Sequence, residues 1–293
     1  MSDAGSLSNL SFLCFGEEGS RLVSPYIWMT PILRNISTRV RQMALHSASA
    51  GSKLIFAPAG TEIRGQAEQF TKGVLTRSDL DQTSPIRQFH KWFAAAQESH
   101  LVEHPETCCL STASLPSGRV SSRIVYLKEL DDKGFVIYSN FGTSKKAEDL
   151  ATNPWASLTF WWETLERQVR VEGQASRLTR EESQKYFDTR VRGSRIGAWS
   201  SRQSQVLRPV EGDADGEEDD GRKVLDGWVE ETEKRFAGEE NIPVPDFWGG
   251  LRLIPESIEF WQGRQNRLHD RFAYNKKKSA EGIEAWSLDR LSP

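Results

Sequence analysis

The sequence predicts a mainly β protein with flanking helices, built on an antiparallel sheet that closes into a small barrel. Two observations carry that expectation. From about residue 107 to residue 178, extended segments follow one another across short turns rich in Gly, Asp, Ser and Pro, and strands joined this way pair antiparallel. Helical spacing recurs in only a few places, and a run of strands with few helices closes readily into a barrel.

The first element is a helix over 85–98. Ser84 can cap it, Pro85 fits its first position, and Ile86, Phe89, Trp92, Phe93 and Ala96 recur at helical spacing. Strands are expected at 107–114, 119–129 and 135–139, divided by the turns Pro116-Ser117-Gly118 and Asp131-Asp132-Lys133-Gly134. A short helix follows at about 144–151. Strands at 155–162 and 167–178 flank Glu163-Thr164-Leu165-Glu166. Thr179 with Glu182 forms a capping box that opens a helix to about Arg190. Residues 211–221 form a solvated acidic loop, a helix runs from about 222 to 237, and short strands follow Trp248.

A chain of 293 residues can bury a proper core, and 27% charged with 37% hydrophobic residues is ordinary for a globular protein. The net charge is −3, but 211–220 alone holds seven acids and no base, so the remainder carries +4. A mildly basic body suits a small phosphorylated ligand better than duplex nucleic acid, which needs an extended basic face. Cys14 and the adjacent Cys108 and Cys109 offer no zinc spacing, and a reducing, cytoplasmic setting is the simplest reading. No apolar run approaches the roughly 20 residues that span a bilayer. The chain divides into a leader, 1–66, and a domain, 67–293. Between Glu18 and Glu62 the leader has five basic residues and no acid. It reads as a mitochondrial transit segment or as a disordered leader, with Met29 or Met43 as alternative starts.

Nucleotide-binding glycine loops, GxSxG and HExxH are all absent. Five blocks carry chemistry instead. Arg123-Ile124-Val125-Tyr126-Leu127-Lys128 places two cations five apart on a strand, hence on opposite faces, where they could serve two anions or simply be solvated strand ends. Tyr138-Ser139 leads through a loop to Lys145-Lys146 at a helix start, an anion site in form, although lysines on exposed helices are usually just solvated. Gln168 on a strand can both donate to and accept from a ring edge. The stretch from Tyr186 to Ser204 mixes hydroxyls and guanidinium groups (Arg190, Ser194, Gln203, Ser204) as a phosphate prefers. The fifth block runs from Phe260 through Trp261, Arg267, Leu268 and His269 to Arg271. A lone histidine is more often structural than catalytic, but this one lies between two arginines.

Taken in order, SSRIVYLK, YSNFGTSKKA, LERQVRVEG, YFDTRVRGSRIGAWSSRQS, FWGG, IEFWQG, NRLHDRF and the closing RLSP resemble the pyridoxine (pyridoxamine) 5'-phosphate oxidase family from about Phe70 to Pro293. The resemblance implies an FMN-binding split β-barrel, a homodimer with FMN between subunits, and a C-terminal dimerisation region. It assigns FMN to Arg123, Ile124, Val125, Tyr126, Lys128, Tyr138, Ser139, Lys145, Lys146, Gln168, Gln203, Ser204, Trp261 and Arg271. Substrate phosphate falls to Lys128, Tyr186, Arg190 and Ser194, while Arg267, Leu268 and His269 face the reacting end of the pyridine ring, with Arg267 and His269 as the catalytic pair. Lys145 stands where arginine is common in the family, Val191 where proline is common, and Glu68 where a basic residue is common.

The implied reaction is oxidation of pyridoxine or pyridoxamine 5'-phosphate to pyridoxal 5'-phosphate, with oxygen as acceptor and hydrogen peroxide, plus ammonia from the amine, as products. No metal takes part. Two other readings of the pattern are another split-barrel flavin oxidoreductase and a non-catalytic protein that binds FMN or pyridoxal phosphate.

Overall fold

The structure, a computed structural model, describes residues 69–209, 219–278, 282 and 284–293. The leader 1–66, Glu68 and residues 211–218 of the acidic stretch lie outside the described residues.

Helix α1 is Pro85–Glu98, with the Ser84 side chain accepting from the Arg87 amide and Phe89, Trp92 and Ala96 buried. Cap, proline and apolar spacing agree there, so its limits match the sequence expectation. The strands are β1 Thr107–Ala113, β2 Val120–Tyr126, β3 Glu129–Asp131, β4 Gly134–Asn140, β5 Trp155–Trp162, β6 Arg167–Arg177, β7 Trp248–Gln262, β8 Asp270–Lys278 and β9 Glu284–Leu291. They make one antiparallel sheet in the order β2-β1-β5-β6-β7-β4-β3, with β8 on β7 and β9 on β8. β7 pairs with β4 through its first half and with β8 through its second, while β6 runs beside both halves. β2 returns against β4, so the sheet curls into the expected split barrel. Phe89 from α1 seals its core against Phe135, Phe160 and Trp162.

Three expectations are corrected. The strand expected over 119–129 breaks: β2 stops at Tyr126, and Lys128 lies in the link to β3, its amide bonded to the Val136 carbonyl. Opposite-face alternation from Arg123 therefore does not place Lys128. The segments after Trp248 are not short. β7 has 15 residues and is buried almost continuously, so it shows no alternation, and its internal Gly and Pro mimic turn signals. The breaker Pro255 sits at a bulge opposite Gly173. A Cβ on Gly173 would lie 2.0 Å from the Ile254 carbonyl oxygen, so only glycine fits this crossing.

The remaining helices are α2 Lys145–Thr152, α3 Arg180–Asp188, α4 Arg192–Ser200 and α5 Arg222–Arg235. α4 gives little sign of itself in the sequence, because it contains two glycines and its N-cap, Val191, makes no side-chain cap bond. α3 ends at Asp188 with Thr189 as its C-cap, so Arg190 stands beyond the helix. A second core of Phe187, Ile196, Phe236, Ile242, Val244 and Trp248 holds α3, α4 and α5 to the barrel, while α2 packs on the main core through Leu150. Among the described residues, no helix is long and apolar enough to cross a membrane.

Candidate active site

A cluster of cations forms where β4 hands over to α2. Asn140 Oδ1 accepts from the Gly142 amide at 2.8 Å, and Ser144 caps α2. The stretch after α4 is tied to the same loop, because Asn140 Nδ2 donates to the Ser201 carbonyl and Thr143 Oγ1 donates to the Gln203 carbonyl. These ties bring together residues 60 positions apart in the chain. Lys146 Nζ donates to Gln203 Oε1 at 2.7 Å, Ser139 Oγ reaches the same oxygen at 3.5 Å, and Ser204 Oγ accepts from the Lys145 amide at 3.3 Å. Arg123 enters from β2 on the core face, where it is level with Leu110.

Lys146 is 4% exposed. Burial, and then the neighbouring Arg123 charge, pull its ammonium down to about 8. Arg123 is likewise lowered by burial, with the Asp149 carboxylate opposing. Two half-dehydrated cations side by side, one bonded to a neutral amide oxygen, make a donor set that an anion would complete.

A second cluster lies on the smaller core. Tyr138 and Tyr186 stack at 3.8 Å, and Trp248 stacks behind them. The Tyr138 hydroxyl donates to Glu129 Oε1 at 2.7 Å. The Arg190 guanidinium lies 4.7 Å over Trp248, and its buried Nη1 has no hydrogen-bond partner. Sequence placed Arg190 on the same helix as Tyr186. The two do interact, but from beyond the helix end rather than from a shared helical face. Ser194 sits in the first turn of α4. Lys128 is exposed, with its ammonium 5.1 Å from the Tyr126 ring.

The third group occupies the other face of the sheet. Trp161, Gln168, Trp261 and Arg271 are in register across β5, β6, β7 and β8 and form one row. Arg123 is in register with the buried Leu110, Leu158 and Val171, the core row, so its side chain and this outer row lie on opposite faces. Arg271 pairs with the buried Glu259 at 2.7 Å. Ile124 and Tyr126 also point outward, while Val125 packs against the core. His269 packs against Trp261 at 4.5 Å and Phe70 at 5.7 Å. Its Nδ1 accepts from the Arg264 amide at 3.1 Å, which puts the proton of the neutral ring on Nε2. Burial first, then Arg267 and Arg271, lowers its basicity. Arg267 has a left-handed backbone and Leu268 is exposed.

One protomer thus brings together Ser139, Lys145, Lys146, Gln203 and Ser204 beside Arg123, and separately Tyr186 and Arg190, and separately Gln168, Trp261, His269 and Arg271. Sequence reasoning missed Asp149, Glu129 and Trp248 as site residues, and of these only Trp248 had a signal, as the tryptophan of FWGG. Phe70 lies in the segment 68–73, which only loosely matches a family segment that closes over substrate.

A family profile described as pyridoxamine 5'-phosphate oxidase matches residues 94–234, and one described as the pyridoxine 5'-phosphate oxidase C-terminal dimerisation region matches 248–293. A probable pyridoxamine 5'-phosphate oxidase of Schizosaccharomyces pombe is 50% identical over 253 residues, 86% of this chain and 100% of that protein. The pyridoxamine 5'-phosphate oxidase of Saccharomyces cerevisiae is 48% identical over 82% of this chain and 95% of its own length. Among solved structures, PhzG from Burkholderia lata 383, in complex with tetrahydrophenazine-1-carboxylic acid, is 28% identical with a TM-score of 0.62, covering 75% of this chain and 98% of that one. Fold and relatives together define a split-barrel oxidoreductase. More narrowly, the chain belongs to the pyridoxamine 5'-phosphate oxidase family.

Proposed function

We propose that this enzyme oxidises pyridoxine or pyridoxamine 5'-phosphate to pyridoxal 5'-phosphate with FMN as cofactor and oxygen as final acceptor. The observation that carries the reading is the buried Arg190 Nη1, a guanidinium nitrogen without a partner beside Tyr186. A buried donor left unmade is costly, and a substrate phosphate would satisfy it.

The donor set around Lys146 fits the FMN phosphate: three cations, two hydroxyls and the start of α2 converge there. When bound, FMN supplies the hydride acceptor, and oxygen regenerates it with release of hydrogen peroxide. Arg190, Tyr186, Ser194 and Lys128 hold the substrate phosphate and so fix how far the pyridine ring reaches. His269 presents Nε2–H as a donor, which suits orienting a polar substituent of the ring. Arg267 lies beside it as a second donor. Phe70 and Trp261 pack against the His269 ring and fix its plane.

Arg123 and the Gln168–Trp261–Arg271 row lie on opposite faces, so a flavin touching both sets takes them from two copies of the chain. A homodimer follows, in keeping with the dimerisation region over 248–293. The test is direct. The purified protein is expected to show a flavin spectrum and, given pyridoxamine 5'-phosphate in air, to form pyridoxal 5'-phosphate and peroxide in equal amounts. A colourless protein, or a flavoprotein inert to that substrate, would refute the reading.

A further inference from the structure

We infer that Asp149 is the positioning residue of the flavin-phosphate site, a buried carboxylate that sets the direction of Arg123 and Lys145 through two hydroxyls and two ion pairs, the one to Arg123 being the longer at 3.9 Å. The inference rests on the FMN reading above and adds to it a residue from the core side of α2.

Asp149 is fully buried, although it sits in a helix whose sequence, KKAED, reads as solvated. Its Oδ2 accepts from Thr112 Oγ1 at 2.7 Å and from Ser121 Oγ at 2.6 Å, and its Oδ1 accepts from Lys145 Nζ. Each hydroxyl has one proton, and both protons are committed to Asp149. Their lone pairs are therefore left to face Arg123, whose Nη1 donates to Thr112 Oγ1 at 2.8 Å and whose Nη2 donates to Ser121 Oγ at 2.6 Å. The Leu110 carbonyl takes a further bond from Nη1 at 3.2 Å. Proton direction thus runs from the guanidinium through two hydroxyls to the carboxylate, and reversing either hydroxyl would set donor against donor. Burial alone would raise the Asp149 carboxyl, but the bonds from Lys145, Ser121 and Thr112 outweigh it and hold the group at about 2, ionised at all working pH values.

The charge balance follows. Arg123, Lys145 and Lys146 supply three positive charges against the buried Asp149 and the exposed Glu148, which lies 3.6 Å from Lys145, so the cluster stays net positive, as a phosphate monoester requires. The neutral ring system of a flavin gains nothing from this arrangement.

Two opposing expectations make the idea testable. If Asp149 only offset charge, D149N would tighten FMN binding by unmasking a cation. As a positioning residue, its loss frees Arg123 and Lys145 from their aim, and FMN affinity falls on the order of ten- to a hundred-fold. The experiment titrates the full-length chain, freed of flavin, with FMN and with riboflavin, and follows quenching of flavin fluorescence. Riboflavin lacks the phosphate, so its affinity is expected to stay within about two-fold. FMN bound by D149N as tightly as by wild type, or FMN and riboflavin weakened alike, would overturn the assignment. Should D149N fail to fold, T112V and S121A break the same relay without changing charge. Each is expected to weaken FMN selectively, and unchanged FMN affinity in both would overturn it too. Wild-type protein with no preference for FMN over riboflavin would instead overturn the cofactor reading, and this inference with it.

Discussion

At the scale of single residues, Lys146 and Arg190 give the sharpest consequences. Lys146 in the folded, flavin-free chain titrates at about 8, below the 10.5 of a free lysine, chiefly because of burial. Between those values the unfolded chain binds the extra proton, so the stability of the flavin-free protein rises with pH across that window. FMN binding goes the other way, since it needs the charged ammonium. The phosphate is a dianion above about pH 6. FMN affinity is therefore expected to peak between about pH 6.5 and 8 and to fall through pH 9, with K146M removing the upper limb. Affinity flat from pH 7 to 9.5 would show that Lys146 does not titrate at the site. Arg190→Ala should leave FMN in place yet lower kcat/KM for pyridoxine 5'-phosphate by about ten- to a hundred-fold, the worth of a charge-assisted bond of roughly 1.5–3 kcal/mol. Unphosphorylated pyridoxine should be affected far less. Equal losses on both substrates, or a colourless variant, would remove Arg190 from the substrate phosphate.

At the scale of elements, β7 is the member on which the others are aligned. Its first half carries Gly250, where a Cβ would lie 2.4 Å from Leu178 Cδ1, just ahead of the α3 cap. Gly250→Val should therefore push α3 away, disturb the Tyr138–Tyr186 stack and cost about 1–3 kcal/mol of stability, the usual range for overpacking. A drop in melting temperature together with a raised KM is the expected pair, and a variant with wild-type values in both would show that α3 does not depend on this contact. β7 also marks where sequence reading ran out. α1 was legible to the residue because cap, proline and periodicity coincide, and β5 was legible because Trp155 to Trp162 alternate between solvent and core. β7 has no alternation to read. The site divides in the same way. Its cations were legible as motif strings, since their positions in the chain identify them without geometry. Asp149 was not, because an acid four residues after a lysine in a helix has the same pattern whether it faces water or the core. Only the pairing of β1 with β2, which brings Thr112 and Ser121 opposite each other, gives that carboxylate its partners.

At the scale of the whole molecule, the outward face of the barrel carries exposed apolar side chains. On β2, Val120 (70% exposed), Ile124 (65%) and Tyr126 (50%) line the outer side of an edge strand, and Trp161 continues the apolar surface toward Gln168 and Trp261. Exposed apolar side chains gathered on one face are the kind of surface that proteins bury against a partner. Here it adjoins the row that FMN is proposed to touch, and it lies opposite the face where Arg123 and Lys146 wait. A second copy of the chain placed on this surface would complete the flavin site twice over by symmetry. Ile124→Asp tests that arrangement. Ile124 is exposed in the single chain, so an aspartate there should change the stability of the protomer by no more than about 0.5 kcal/mol. Buried in a dimer interface, the same carboxylate would face apolar surface without a partner, a cost of several kcal/mol. The variant is therefore expected to elute as a folded monomer, with unchanged circular dichroism, and to lose its flavin on dilution. A dimer that keeps its flavin would place the interface elsewhere. A folded monomer that still holds FMN as tightly as wild type would show that one chain supplies every essential contact, and the two faces would then have separate functions.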